Sequence, residues 1–297
     1  MSQISEFSPR AWQGFLLGLL AFFFYSAGDV TVKMLSANLP ILQIFVGMSV
    51  VALPFMFAFA WWRGGRAGMQ SRALHKQFLR SILFLLQAFS AFYGFQNLPM
   101  AETYSFIFVM PVFTLIFAII FLHEKVCRLQ VMLMLVAFAG VLVVFRPGLD
   151  VINSAALVVL GGSAIGGLNQ VFMRHLSATE GFGASLVYPV LFAAIISAAI
   201  GFQSFQPLTM EFMTLFVIGG VIAAAAHSLI VSAFYFAPAS QIAPTQYSQI
   251  IWGVLYGYFF FGDVPDIYVI GGASMIIGAG IWLAKLEYDA THGSAHE

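Results

Sequence analysis

Charge is what this chain has least of. Of its 297 residues, 8% are Asp, Glu, Lys or Arg and 61% are hydrophobic, and the mean hydropathy is +0.94. So little polar surface cannot cover a water-soluble globule. Cysteine is nearly absent as well. Cys127 stands alone, which excludes an internal disulfide and a cysteine-based metal cluster. No stretch alternates apolar and polar residues with period two, which disfavours a β-barrel. The connections between apolar runs are too short to hold a soluble domain. Basic residues cluster without an aromatic platform beside them, so nothing points to nucleic acid. The first apolar run is too long for a signal-peptide core and has no small-residue exit, so it is expected to remain in the mature protein.

What the chain does have is long apolar runs. A hydrocarbon core about 30 Å thick needs roughly 20 apolar residues per helix. Ten such runs cover 12–36, 41–62, 78–97, 101–122, 129–145, 154–174, 184–202, 212–236, 241–261 and 267–286. The expected fold is an all-α polytopic membrane protein with ten transmembrane helices. The stretch 63–77, rich in basic residues, reads as a loop or a short surface helix.

The sequence also repeats itself. Ala91-Phe92-Tyr93 returns as Ala233-Phe234-Tyr235, and Lys33-Met34-Leu35-Ser36 as Arg174-His175-Leu176-Ser177. The run ending Phe121-Leu122-His123-Glu124 returns as Phe260-Phe261-Gly262-Asp263. Five spans per half is an odd number, so the second half must enter the membrane upside down. Inverted repeats of this kind frame a midplane site that opens to either side in turn. The halves are expected at 10–147 and 151–288, with short cytoplasmic tails at 1–9 and 289–297. Threading ten spans with the amino terminus inside puts Arg10, Arg63, Arg66, Arg72, Lys76, Arg80, Lys125, Arg128, Arg174 and Lys285 on the cytoplasmic side, leaving Lys33 and Arg146 outside. That is the positive-inside bias, and it places both termini in the cytoplasm.

The carboxylates Glu124 and Asp263 at the ends of spans four and nine mark a recognisable pattern. So do the entries to those spans, Leu98-Pro99-Met100-Ala101-Glu102 and Ala237-Pro238-Ala239-Ser240-Gln241. In this order they resemble the EamA-type repeat of the drug/metabolite transporter superfamily, over nearly the whole chain. Ser26-Ala27-Gly28-Asp29-Val30 with Lys33 is similar to the bacterial S-adenosylmethionine-uptake type, as are Ala243-Pro244-Thr245-Gln246-Tyr247 and Val264-Pro265-Asp266. Where that type tends to place charge near Tyr247, this chain has Gln246 and Gln249. The resemblance implies ten helices in two inverted repeats around a central cavity, in the bacterial inner membrane, as a monomer or homodimer without a cofactor. It implies a small organic solute, such as an amino acid or a nucleoside-like compound, and an alternative is riboflavin-like or drug efflux.

An ionised group at the centre of a membrane helix costs about 2.5–3.5 kcal/mol even on insertion scales, so each one asks for a reason. Asp29 lies well inside span one. Lys33, four positions on, shares its helix face and either neutralises Asp29 or leaves it to face a cavity. In the repeat the equivalents are Gln170 and Arg174. Glu102 opens span four, where the helix dipole favours a carboxylate whether or not it also acts in transport. Glu124 and Asp263 read as caps of the helices that follow them. His227 sits deep in span eight and either couples protons or hydrogen-bonds across a close helix contact. Asp29, Glu102 and His227 are therefore the coupling candidates.

Tyr25, Asp29, Gln87, Tyr93, Asn169, Gln170, Tyr247, Gln249 and Trp252 are the candidate solute contacts, because amides facing lipid would go unpaired. Gln249, Trp252 and Tyr256 fall on one helical stripe, suited to stacking and directed hydrogen bonds. Gly14/Gly18, Gly162/Gly166 and Gly253/Gly257 are small-xxx-small pairs for close helix contact. Pro54, Pro111 and Pro189 interrupt spans and act as hinges or as static bends. An enzyme is disfavoured: an intramembrane aspartyl protease needs two facing carboxylates, and His227 and Ser228, adjacent in sequence, point apart on a helix. Fluorescent-protein fusions at either end should both glow and alkaline-phosphatase fusions at both ends should stay inactive; one end reporting from outside would break the inverted arrangement.

Overall fold

The computed structural model describes residues 9–98, 100–124, 126–145, 154–261 and 267–292. All regular structure among them is helical. The elements are α1 (Pro9–Ser36), α2 (Ile41–Gly68), α3 (Leu74–Asn97), α4 (Met100–Ile107), α5 (Met110–Leu122), α6 (Arg128–Phe145), α7 (Ser154–Ser177), α8 (Phe182–Gly201), α9 (Met210–Phe236), α10 (Ala239–Ile242), α11 (Gln249–Tyr256) and α12 (Ile267–His292). Six of them, α1, α2, α3, α7, α8 and α9, are long and apolar enough to cross a membrane. Large apolar side chains such as Val50, Ile200 and Ile281 point outward, as a lipid-facing surface requires.

The fourth and ninth apolar runs are not continuous helices. The fourth divides at Phe108 and Val109 into α4 and α5. Pro111 supplies no N–H, so the Ile107 carbonyl loses its helical donor and the chain turns instead, with Val109 N–H donating to Phe106 O at 3.2 Å. The ninth runs from α10 into a 3₁₀ stretch, Ala243–Ser248, then α11, then a π-helical turn at Gly257–Phe261. Pro244 again removes a donor, the one a helix would aim at the Ser240 carbonyl, and one residue on the Thr245 hydroxyl donates back to Ile242 O at 2.6 Å. Irregular backbone at membrane depth persists only where protein covers it. Both breaks meet that condition, since Phe108, Ile242 and Ala243 are buried.

The basic stretch 63–77 is largely helical. α2 continues to Gly68 through a kink at Gly65, whose φ of 55° suits only a residue without Cβ, and α3 begins at Leu74. This earlier start carries Arg80 into the body of α3, fully buried, rather than leaving it at a cytoplasmic boundary. Glu124 caps a helix, but not the one that follows it. Its carboxylate accepts from Ala239 N–H at 3.0 Å and Ser240 N–H at 2.9 Å, so a first-half residue closes the start of α10 in the second half. Asp263 lies outside the described residues.

Helix pairing crosses the two halves. α1 lies along α9, α3 along α7, α2 along α8 and α9, and α6 along α12. Glycine sets the closeness of two of these contacts: Gly14 and Gly18 face Ala237 and Thr245, and Gly162 faces Ser90. Gly253 has nothing within 4 Å, so the expected close contact there is not made. At one end, Gln43 and Gln206 exchange two hydrogen bonds of 2.7 Å. At the other, Glu180 accepts from Ser71 and Arg72, Tyr235 OH donates to Glu180 O, and Arg63 donates to Ser232 while stacking 4.1 Å over Phe182.

A Cβ at Gly162 would collide with the Ser90 hydroxyl. Gly162→Ala should therefore destabilise the purified protein by about 1–3 kcal/mol, seen as a lowered thermal midpoint. The double variant Gly162→Ala/Ser90→Gly should recover most of it, and no recovery would mean that this contact does not set the α3–α7 spacing.

Candidate functional site

Between α1, α2, α3, α4, α7 and α9 lies a cavity of about 230 Å³. Phe84, Phe92, Phe95, Met48 and Ile107 give it apolar walls, into which three polar groupings project. The first centres on Asp29, half-buried on α1. Tyr104 OH donates to Asp29 Oδ2 at 2.8 Å and Gln249 Nε2 reaches the same oxygen at 3.4 Å. Tyr104 belongs to α4 and Gln249 opens α11, so one carboxylate joins both broken spans to α1. Ser26 strengthens the seam by donating to the Gln249 carbonyl at 3.3 Å.

The second grouping is a chain of amides between α3, α5 and α7. Asn169 Nδ2 donates to Gln87 Oε1 at 3.1 Å, Gln170 Nε2 meets the Met110 sulfur at 3.3 Å, and Thr114 donates to Gln170 Oε1 at 3.2 Å. Asn169 Oδ1 is buried without a partner. Such an acceptor costs about 1–3 kcal/mol unless a ligand meets it. In the third grouping the Tyr25 hydroxyl and His227 Nδ1 are hydrogen-bonded at 3.2 Å, and the Phe84 ring lies 5.1 Å from the imidazole. His227 Nε2 is buried with no partner. Arg80 lies beside this pair, donating to Ser185 O at 2.6 Å and touching the Met173 sulfur at 3.0 Å. Among the described residues no three His, Cys, Asp or Glu side chains gather as metal ligands.

Tyr25, Asp29, Gln87, Asn169, Gln170, His227 and Gln249 thus line one cavity. Other candidates lie elsewhere. Tyr93 stacks on Phe89 with 6.1 Å between ring centroids and packs beside Leu98 and Ala155. Tyr247 is buried near Phe108 with its hydroxyl unpaired, and faces a second, mostly apolar cavity of about 210 Å³ between α1, α6, α11 and α12. Trp252 meets Phe23 edge-on at 5.0 Å, and Tyr256 lies 6.0 Å from the same ring. Gln249, at the start of α11, reaches Asp29 in the main cavity, while Trp252 and Tyr256 further along the same helix pack on Phe23 of α1. The Glu102 side chain lies outside the described residues.

Residues 12–146 match the model of the EamA-like transporter family. The chain carries an EamA-family domain. This domain spans the whole first half, from α1 to the end of α6. The chain is 27% identical to an S-adenosylmethionine uptake transporter of Rickettsia felis, over 93% of this chain and 92% of that protein. It is 25% identical to the pseudopaline exporter CntI of Pseudomonas aeruginosa, over 92% and 96%, and 23% identical to a riboflavin transporter of Rhizobium johnstonii, over 94% and 93%. A crystal structure 14% identical in sequence superimposes with a TM-score of 0.74 over 94% of this chain and 97% of its own, a likeness of fold alone.

Arg80, Tyr104 and Met110 also line or adjoin the main cavity, and the sequence alone did not mark them as parts of it. Arg80 was legible only by starting span three earlier, with Gln77 one turn before it on the same face. Ala223 lines the cavity from α9. Ala223→Phe should fill it, erasing ligand-induced thermal stabilisation without lowering the midpoint of the unliganded protein; retained stabilisation would place the ligand elsewhere.

Proposed function

We propose that this protein is a secondary carrier of a small organic metabolite in the bacterial inner membrane. Two inverted five-helix halves, with both termini cytoplasmic, rock around the main cavity. The observation that carries this reading is Asp29, whose carboxylate gathers the broken fourth and ninth spans at the cavity wall. Interrupted helices in matching positions of two halves are the usual frame of a midplane transport site.

Helix packing supports a two-fold relation between the halves. Exchanging them turns the α1–α9 contact into α7–α3 and the α2–α9 contact into α8–α3, and leaves α2–α8 and α6–α12 unchanged. With an odd number of spans in each half, that relation is an inversion. Relatives named as transporters align over almost their whole lengths, which favours transport over enzymatic chemistry and favours amino-acid-like or nucleoside-like solutes. Riboflavin or drug efflux is the second reading, and the Phe84, Phe92 and Phe95 rings would suit a flat solute.

In the mechanism, solute displaces water from the cavity and meets the unpaired acceptor of Asn169 and the unpaired Nε2 of His227. The cytoplasmic ties through Glu180, Tyr235 and Arg63 open as those at Gln43 and Gln206 hold, and the reverse follows. Both broken spans can change at their joints, where few helical hydrogen bonds must be lost. Asp29 carries the coupling proton, assisted by His227 and Glu102.

Asp29→Asn and His227→Gln should each make uptake into proteoliposomes insensitive to an imposed pH gradient while leaving the protein folded. Unaltered gradient dependence in both variants would remove these two residues from coupling. A screen of the purified protein against amino acids, S-adenosylmethionine, riboflavin and nucleosides by thermal shift should identify the solute, since a ligand of the folded form raises its apparent stability.

A further inference from the structure

Arg80 has no contact with water at all, being 0% exposed. One guanidinium nitrogen donates to the Ser185 carbonyl, another meets the Met173 sulfur, and Nε finds no acceptor. Gln77, one turn earlier on α3, has neither of its amide atoms paired. None of these partners carries negative charge. A cation in apolar surroundings with no counter-charge is among the most costly arrangements a protein can hold. It becomes tolerable where another anion shares the same enclosed, low-dielectric space, because charges there act over longer distances than in water.

Asp29 holds the opposite charge at another wall of the cavity, with hydrogen bonds from the neutral Tyr104 and Gln249. Tyr25 stands one helical turn before Asp29 on α1 and lines the same cavity as Asp29 and Arg80. Arg80 is held at Ser185 and Met173 and Asp29 at Tyr104 and Gln249, so the two sit apart on one cavity, and Phe84, Phe92 and Met48 supply apolar wall. Resting on the carrier reading, we propose that the cavity selects solutes bearing an anionic and a cationic group at separate ends, as an ω-amino acid or another extended dipolar metabolite does. Arg80 draws the anionic end through its field and its free Nε–H, and acts as a positioning residue. Asp29 takes the cationic end. A solute aligned this way supplies each fixed charge with the partner it lacks, which one carrying a single charge cannot do.

Thermal-shift titrations of the whole purified protein test this with matched sets that share one apolar body. One set is 6-aminohexanoate, hexylamine and hexanoate; the other is 5-aminopentanoate, pentylamine and pentanoate. The zwitterion should bind about tenfold or more tighter than either singly charged analogue, the strength of one charge-assisted hydrogen bond. Arg80→Met should narrow the gap between zwitterion and amine, Asp29→Asn the gap between zwitterion and acid, and Arg80→Lys should keep most of the discrimination. If Arg80→Met does not fold, the ranking in the unaltered protein decides. An amine or acid that binds as tightly as its zwitterion overturns the proposal, and so does a panel in which no zwitterion raises the midpoint. Proteoliposome uptake separates the two readings: a zwitterion that binds by this pattern but is never moved would sink the carrier and leave the charge pattern standing.

Discussion

Hydrocarbon offers a peptide group nothing to bond to, and this one constraint organises the whole molecule. It forces regular helix wherever the chain meets lipid and confines irregular backbone to places that other helices cover. The two breaks in the bundle, at Phe108 and at 243–248, are therefore both kept from lipid by surrounding protein. Phe108 packs among Tyr104, Leu115, Met134 and Tyr247, the 3₁₀ stretch packs on α1, and side chains beside both, Tyr104 and Gln249, meet one carboxylate. Site and fold share a cause: polar backbone and side chains have been gathered into the interior because they could be satisfied nowhere else.

The helices themselves were plain in the sequence. Length and hydropathy alone placed α1, α3, α7, α8 and α9 within a few residues, because the bilayer thickness sets one dominant length scale, while α2 continues past its expected end to Gly68. The breaks were harder. Pro111 and Pro244 announce a lost donor, but whether the chain bends or stops depends on what packs against the freed carbonyl, which spacing does not show. Basic residues misled for a related reason. Arg80 looks like an orientation signal in a list of charges, yet the early start of α3 buries it. The role of Glu124 was half legible: its position at a helix end suggested a cap, while its partner, α10, lies over a hundred residues away in sequence.

The candidate site divided along the same line. Tyr25, Asp29, Gln87, Asn169, Gln170, His227 and Gln249 converge because polar residues in apolar helices have few places to go, which composition alone can say. Tyr93, Tyr247 and Trp252 diverge because aromatic rings are equally at home in packed protein, and only the rotational register of a helix decides between the two. Tyr247 lies in the 3₁₀ stretch, where the register of an ideal helix does not apply, and Trp252 meets Phe23 instead of the cavity.

The same stretch has a mechanical consequence. Gln246 faces one void and Tyr247 and Ser248 face another, so these few residues form a partition with unfilled volume on each side. Close-packed interiors resist displacement because any shift drives atoms into their neighbours. A thin septum backed by empty space is exempt from that resistance. It can yield toward either hollow without disturbing the rest of the bundle, so compliance is concentrated where the lining of the chamber must change shape.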